Sequence, residues 1–187
     1  AVRERTEQLE RLAHADPLTG VFNRRGFERA FAKSRSRAGR TGHQAGLLLV
    51  DLDNLKPLND RHGHQSGDEA IAELARRMTT LLRDRDICAR WGGDEFILLL
   101  DNVDRDEVSA ISTAIVAAAA EQPVILDSGA SVFVSTSIGA TLLEPDDTLA
   151  EAASRADEAL YVAKRNGRNG FAVSPPEELP LRRRSNG

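Results

Sequence analysis

The stretch DICARWGGDEFILLL, residues 86–100, decides the fold. Two runs, DICARW and EFILLL, flank Gly92-Gly93, and the pattern reads as a tight hairpin whose turn needs positive φ. Upstream, GLLLVDL at 46–52 is a continuous apolar run ending in acid, the pattern of a strand buried on both faces. Between the two lie NLKPLNDRHG, a short helix and turn, and GDEAIAELARRMTTLLR, a longer amphipathic helix. Before them, Pro17 and Gly20 break the chain in DPLTGVFN, RRGFERAFAKSRSR reads as a helix and AGRTGHQAG as a loop. Downstream, DRDEVSAISTAIVAAAAEQ is helical and VFVSTSIGATLL alternates as one strand. DTLAEAASRADEALYVAKRN is a last helix ended by Gly167, and FAV adds an edge strand.

The order strand, helix, helix, hairpin, helix, strand, helix predicts an α/β fold with a central, mostly antiparallel sheet flanked by helices. It is compatible with a ferredoxin-like palm. At 187 residues the chain fits one domain with short extensions. The flanks are a charged run over residues 1–15 and a Pro-rich, basic tail over 174–187, leaving 16–173 for the domain. Val2, Leu9 and Leu12 give the first flank a sparse apolar stripe, which suits the end of a coiled coil or a docked linker helix. The net charge is −4 with both signs scattered, and no basic stripe is interleaved with aromatics, so nucleic acid is not an expected partner. The run Arg182-Arg183-Arg184 reads as a solvated linker. Cys88 is the sole cysteine, which excludes an intrachain disulfide and a cysteine-rich zinc site. No apolar run approaches the roughly 18 residues of a membrane span, so no membrane contact is expected of this segment. The chain lacks a secretory signal and an initiator methionine, its one methionine being Met78. It is therefore expected to be a cytoplasmic segment of a longer protein, whose other parts can include a membrane anchor.

Asp51 and Asp53 stand at the end of the buried strand, and a spacing of two places both side chains on one face. Asp94 and Glu95 follow the Gly-Gly turn, so one of them faces the same side. If the hairpin lies beside the first strand, Asp51 and Asp94 converge, and paired hard carboxylates of this kind hold Mg²⁺ or Mn²⁺ where phosphate supplies further oxygens. The alternatives are ordinary: Asp53 as a helix cap, and acids that merely flank a turn. The helix beginning near Asn54 aims backbone N–H groups at the same strand end, which favours phosphate, and Lys56 lies in its first turn. Asp68 begins the next helix, where it serves either as a cap or as an acceptor for the N1–H and N2–H₂ donors of guanine. Asn59 suits the rest of that base. No Walker A, dinucleotide-binding, HExxH or G-x-S-x-G pattern is present.

RWGGDEF at 90–96 resembles the defining motif of GGDEF domains, with the glycine pair and both acids intact. DPLTGVFNRR at 16–25, DLDNLKPLND at 51–60, GHQSGDEAI at 63–71 and ADEALYVAKRNGRN at 156–169 are similar to that family's other motifs, in the expected order. The resemblance implies a diguanylate cyclase of the nucleotidyl cyclase palm type. Such an enzyme condenses two GTP into cyclic di-GMP and two pyrophosphates for second-messenger signalling. It implies Asp51, Asp94 and the carbonyl of Leu52 as ligands of Mg²⁺ or Mn²⁺. Asp94 would also take the proton of the attacking 3′-hydroxyl, Lys56 would stabilise transition-state charge, and Glu95 would stand beside the chemistry. Asn59, His64 and Asp68 would bind the nucleotide, and Lys164 and Arg168 the triphosphate.

Since each domain would hold one GTP, a two-fold homodimer is implied for catalysis. Fusion to sensor or other signalling domains is expected as well. Arg83 and Asp86 match the family's product-binding inhibitory pair, and their bland alternative is a surface ion pair in the run RDRD. The helix after the hairpin offers no arginine to complete a product clamp, Arg105 lying just before it. Asn54, Leu55 and Trp91 depart from the family's usual aromatics, and Pro57 is tolerable in a first helical turn. Two rivals remain open: a GGDEF fold that senses GTP or cyclic di-GMP without turnover, and a cyclase that accepts ATP beside GTP.

Overall fold

Strand β1 (Ala45–Leu52) is buried at every position, and its side chains feed two cores in alternation. Leu48, Val50 and Leu52 pack with Phe96, Leu98 and Leu100 of β3 (Glu95–Asp101) on one face, while Leu47 and Leu49 join Ile97 and Leu99 on the other. The period of two separates the faces, and helices cover both. The computed structural model describes residues 13–41 and 44–174. What was expected of the chain before Ala13 and after Ser174, including the apolar stripe and the basic tail, lies outside the described residues.

The remaining elements are α1 (Arg24–Thr41), α2 (Leu55–His62), α3 (His64–Thr79), β2 (Ile87–Arg90), α4 (Arg105–Glu121), β4 (Val124–Ile125), β5 (Ser131–Val132), β6 (Thr136–Leu142), α5 (Leu149–Arg165) and β7 (Gly170–Ser174). Strand order is β2-β3-β1-β6-β7, antiparallel except for the parallel pair β6–β7. Ala70, Ile71, Leu74 and Met78 of α3 and Val108 and Ile115 of α4 close one core. Phe27 and Phe31 of α1 and Ala156 and Leu160 of α5 close the other. Gly139 lets α5 rest directly on β6, since a Cβ there would lie 2.0 Å from the Ala156 carbonyl oxygen.

Three expectations need correction. Helix α1 runs on to Thr41 and shortens the expected loop. VFVSTSIGATLL is not one alternating strand: it breaks at residues 133–135, its first part pairs with β4 in a small hairpin, and β6 is buried on both faces because α4 packs on one and α5 on the other. Neither Gly92 nor Gly93 has positive φ. The connection is a four-residue turn closed by the Trp91 and Gly92 amides on the Glu95 carbonyl, at 2.8 and 3.2 Å, and turns of that length do not require the left-handed region.

Two side chains unremarked in the sequence hold the frame. Arg77, 8% exposed, donates to the carbonyls of Ala118, Ala119, Gln122 and Pro123, capping the end of α4, whose last turn carries no basic residue of its own. Glu73 holds Arg76 and Arg77, and these guanidinium groups pull its carboxyl down to about 2. Asn23 donates to the carbonyls of Ala13 and Ala15, and the segment through Phe22 hydrogen-bonds Cys88 and Arg90, covering the free edge of β2.

Candidate active site

The end of β1 and the turn before β3 meet through one backbone bond, the Leu52 amide donating to the Asp94 carbonyl at 3.1 Å. Asp51 and Glu95 are cross-strand partners, so their carboxylates share a face with Asp94 beside them. Burial pushes the Asp51 carboxyl above its usual range. The Lys164 ammonium, 3.0 Å from Oδ2, opposes that shift, and the charges of Asp94 and Asp53 reinforce it. Glu95 is raised by the same causes, burial first and then the charges of Asp51 and Asp94. Three acids thus crowd one spot, with Lys164 the cation between them.

Lys164 comes from the last turn of α5, and the contact at Gly139 brings it to Asp51. Lys56 at the start of α2 and Arg168 beyond α5 line the same cleft, of about 300 Å³, with Asp51, Leu52 and Asp94. Asp53 lines the same cleft, but both of its carboxylate oxygens are engaged by hydrogen bonds. Its Oδ1 accepts from the Ser137 hydroxyl at 2.7 Å, and its Oδ2 from the Ser135 hydroxyl at 2.8 Å and the Asn169 amide at 3.1 Å. It caps no helix, but ties the end of β1 to β6 and to the start of β7. No side chain caps α2, which begins after Asn54 in the left-handed region with φ 58°.

The described residues hold no group of three or more His, Cys, Asp or Glu side chains arranged for a metal. Two carboxylates and the Leu52 carbonyl, all hard oxygens, nonetheless match what Mg²⁺ or Mn²⁺ takes from protein when phosphate oxygens complete the shell.

On α2, the Asn59 Oδ1 is buried with no hydrogen-bond partner among the described residues. It nestles against Gly67, where a Cβ would lie 1.9 Å from it. Asp68 follows Gly67 and is exposed in α3, whose N-cap is Gly63 and not an acid. His64 is exposed at the first position of α3. A larger cleft, of about 780 Å³, opens on the side of α2 toward Phe133 and shares Asp53, Asn54 and Pro57 with the first.

Arg83 and Asp86 stand apart from this site, at the start of β2. Asp86 accepts the Arg83 amide at 2.9 Å and the Asp101 amide at 3.0 Å, and the Arg83 guanidinium lies 3.2 Å from Glu107. Beside them is a cleft of about 530 Å³ with Val21, Phe22, Leu82 and Cys88 in its walls. Arg105 is turned to the far edge of the sheet, donating to the Val173 carbonyl, and so does not join this pair.

The sequence reading missed Gly67, Ser135, Ser137 and Arg90. Arg90 stands in the motif RWGGDEF and donates to the Gly93 carbonyl. Gly67 stands in GHQSGDE, and glycine inside a helix is itself a signal of close approach. The two serines alternate in VSTSIG, but nothing local marks Asp53 as their partner.

Comparison with known proteins shows the family of the chain. The family profile described as "Diguanylate cyclase, GGDEF domain" matches residues 13–170. The chain is 37% identical over 163 residues to the diguanylate cyclase DgcM of Escherichia coli, covering 87% of this chain and 39% of that protein. It is 35% identical over 170 residues to a diguanylate cyclase of Vibrio cholerae, covering 91% of this chain and 52% of that protein. The chain thus spans about half or less of the curated relatives it matches. The crystal structure of the coiled coil and GGDEF domain of DgcB from Caulobacter crescentus, in complex with c-di-GMP, superposes with a TM-score of 0.87 at 28% identity, covering 92% of each chain. A family profile over most of the chain, relatives above one-third identity and a superposition at TM-score 0.87 agree: the chain belongs to the GGDEF family, the diguanylate cyclase domains.

Proposed function

We propose that this domain condenses two GTP molecules into cyclic di-GMP, releasing two pyrophosphates, with Mg²⁺ or Mn²⁺ as cofactor. The observation that carries the reading is the convergence of Asp51, Asp94 and Glu95 on one strand end with Lys164, Lys56 and Arg168 around them. Asp51, Asp94 and the Leu52 carbonyl would hold the divalent cation, which when bound would polarise the α-phosphoryl oxygen and acidify the 3′-hydroxyl. Asp94 accepts the hydroxyl proton. Lys56 and Arg168 neutralise charge developing on the phosphates. Lys164, now paired with Asp51 in the wall of the same cleft, would add a third positive charge beside the triphosphate.

Guanine recognition rests on Asn59 and Asp68. Asn59 is seated against Gly67, which places it beside Asp68 at the start of α3. The exposed Asp68 carboxylate complements the N1–H and N2–H₂ edge, which adenine lacks, and His64 borders the same helix start. The two GTP molecules are held by two copies of the domain facing each other, so the catalytic unit is a homodimer.

Product binds a second time at Arg83 and Asp86, its purine in the cleft beside Phe22. The Arg83–Glu107 pair is exposed on both sides and worth little, about 0–1 kcal/mol, so it yields readily to a ligand. Because Arg105 is engaged at Val173, this clamp lacks an arginine from α4 and cross-links domains weakly. Incubation with GTP and Mg²⁺ followed by mass identification of the nucleotides tests the whole reading. Asp94→Ala should abolish product while keeping the fold, and an unchanged rate in that variant sinks the mechanism.

A further inference from the structure

Asp94 stands on a turn anchored at one end, where Trp91 packs on Phe27, and open at its outer edge. A Cβ at Gly93 would find no atom within 4 Å, so van der Waals contact does not fix the turn's outer edge. Hydrogen bonds do. The Arg90 guanidinium donates through Nη2 at 2.7 Å and Nε at 3.2 Å to the Gly93 carbonyl, which belongs to the peptide leading directly into Asp94. The Asp94 carbonyl in turn accepts from Leu52. The residue is therefore held on both of its peptides, one by Arg90 and the other by β1.

Arg90 is itself held. Its Nη1 lies 3.4 Å from Oδ1 of Asp16 and 3.5 Å from Oδ2, and the two side chains are only 19% and 14% exposed. Asp16 is locked in turn by the Thr19 amide at 2.9 Å and the Thr19 hydroxyl at 2.8 Å, both on Oδ2. A guanidinium gripped by a mostly buried carboxylate keeps its planar fork in one orientation, which a mobile surface arginine would not.

We propose that Arg90 is a positioning residue for Asp94, and that Asp16 holds Arg90 in the orientation this requires. The pair fixes the peptide between Gly93 and Asp94, and with it the direction of the Asp94 carboxylate toward Asp51. Asp16 lies in the segment that joins the first residues of the chain to the domain, so a displacement of that segment reaches the Asp94 peptide through one side chain. The proposal rests on Asp94 being a metal ligand and adds the groups that aim it.

The test compares the unmutated protein with Arg90→Met, Arg90→Lys and Asp16→Asn. It measures cyclic di-GMP formation from GTP, Mn²⁺ affinity by calorimetry with 3′-deoxy-GTP present (which lacks the attacking hydroxyl), and the melting temperature. Removing a group that orients a metal ligand lowers affinity or activity about 10–100-fold. Arg90→Met should fall in that range in kcat and in Mn²⁺ affinity, with the KM for GTP nearly unchanged. Arg90→Lys, whose single ammonium reaches Gly93 or Asp16 but does not fork between them, should recover part of the loss. Asp16→Asn should lie between Arg90→Met and the unmutated protein.

A lower melting temperature with unchanged Mn²⁺ affinity in Arg90→Met shows a merely structural role and overturns the proposal. If Arg90→Met does not fold, Arg90→Lys decides: full Mn²⁺ affinity and kcat there overturn it equally. Absence of product from the unmutated protein overturns the reading of the site and this proposal with it, whereas an active unmutated protein with unchanged variants overturns the proposal alone.

Discussion

Glu95 faces Asp51 across the β1–β3 pair with Asp94 adjacent, and its carboxyl is raised by burial and by both neighbours. A carboxyl raised in the folded state binds its proton more tightly there than in the unfolded chain. Its ionisation therefore costs stability as pH rises from the unfolded value, about 4.5, through the folded one. Glu95→Gln removes that cost, so the metal-free variant should melt higher than the unmutated protein at pH 7. The difference should shrink toward zero as pH falls below 4.5, a comparison that thermal scans at several pH values make directly. An equal melting temperature at neutral pH contradicts the crowding of acids. Gly93 provides a second residue-scale test. It has neither positive φ nor a neighbour, so Gly93→Ala should change stability by no more than about 0.5 kcal/mol in urea unfolding. Under the proposed function the open space over the turn would admit the nucleotide, so cyclic di-GMP synthesis should nevertheless fall. A full-rate Gly93→Ala variant removes that role for the glycine.

At the scale of elements, α5 delivers Lys164 to Asp51 only because its backbone lies on Gly139 of β6. A methyl at 139 would have to displace the Ala156 carbonyl and the Leu160 amide, which are helix backbone and not a flexible side-chain tip. Gly139→Ala should therefore lift the helix and destabilise the domain by about 1–3 kcal/mol in urea unfolding, the range for overpacking a filled core. It should also raise the KM for GTP, since Lys164 moves off the cleft with its helix. Wild-type-like stability in Gly139→Ala shows that α5 adjusts freely. The capping boxes at Asp104 and Thr148, each with a glutamate three residues on, explain why α4 and α5 begin where the sequence suggested. The end of α4 is different, because its cap, Arg77, comes from another helix.

For the whole molecule, one domain carries one set of Asp51, Asp94, Asn59 and Asp68, whereas the proposed product joins two nucleotides. If each copy holds one GTP, the rate per protein molecule depends on how often two copies meet. Specific activity should therefore rise with protein concentration until the dimer saturates, and dilution over a hundredfold range in the GTP assay checks it. Flat specific activity across that range argues against a dissociable catalytic pair. No helix among the described residues is long and apolar enough to cross a membrane.

Local pattern was enough for most of the elements and for the acids. The buried run of β1, the amphipathic period of α3 and the hairpin motif are readable because burial and hydrogen bonding impose periods and end-signals on a contiguous stretch of chain, whereas the acids offered as helix caps, Asp53 and Asp68, cap nothing. The motif resemblance picked out Asp51 and Asp94, and the structure brings both to one strand end. What sequence spacing left open was the use of each polar group. Asp51 and Asp53 are two residues apart in one strand, yet one meets Lys164 and Glu95 while the other is consumed by Ser135, Ser137 and the Asn169 amide. That outcome depends on β6 and β7 lying beside β1, which is a long-range fact. The conformation of the Gly-Gly turn, the cap that Arg77 places on α4 and the grip of Asp16 and Arg90 on Gly93 likewise join residues distant in the chain. A hydrogen bond between remote segments leaves no period in the sequence, so only the folded chain decides it.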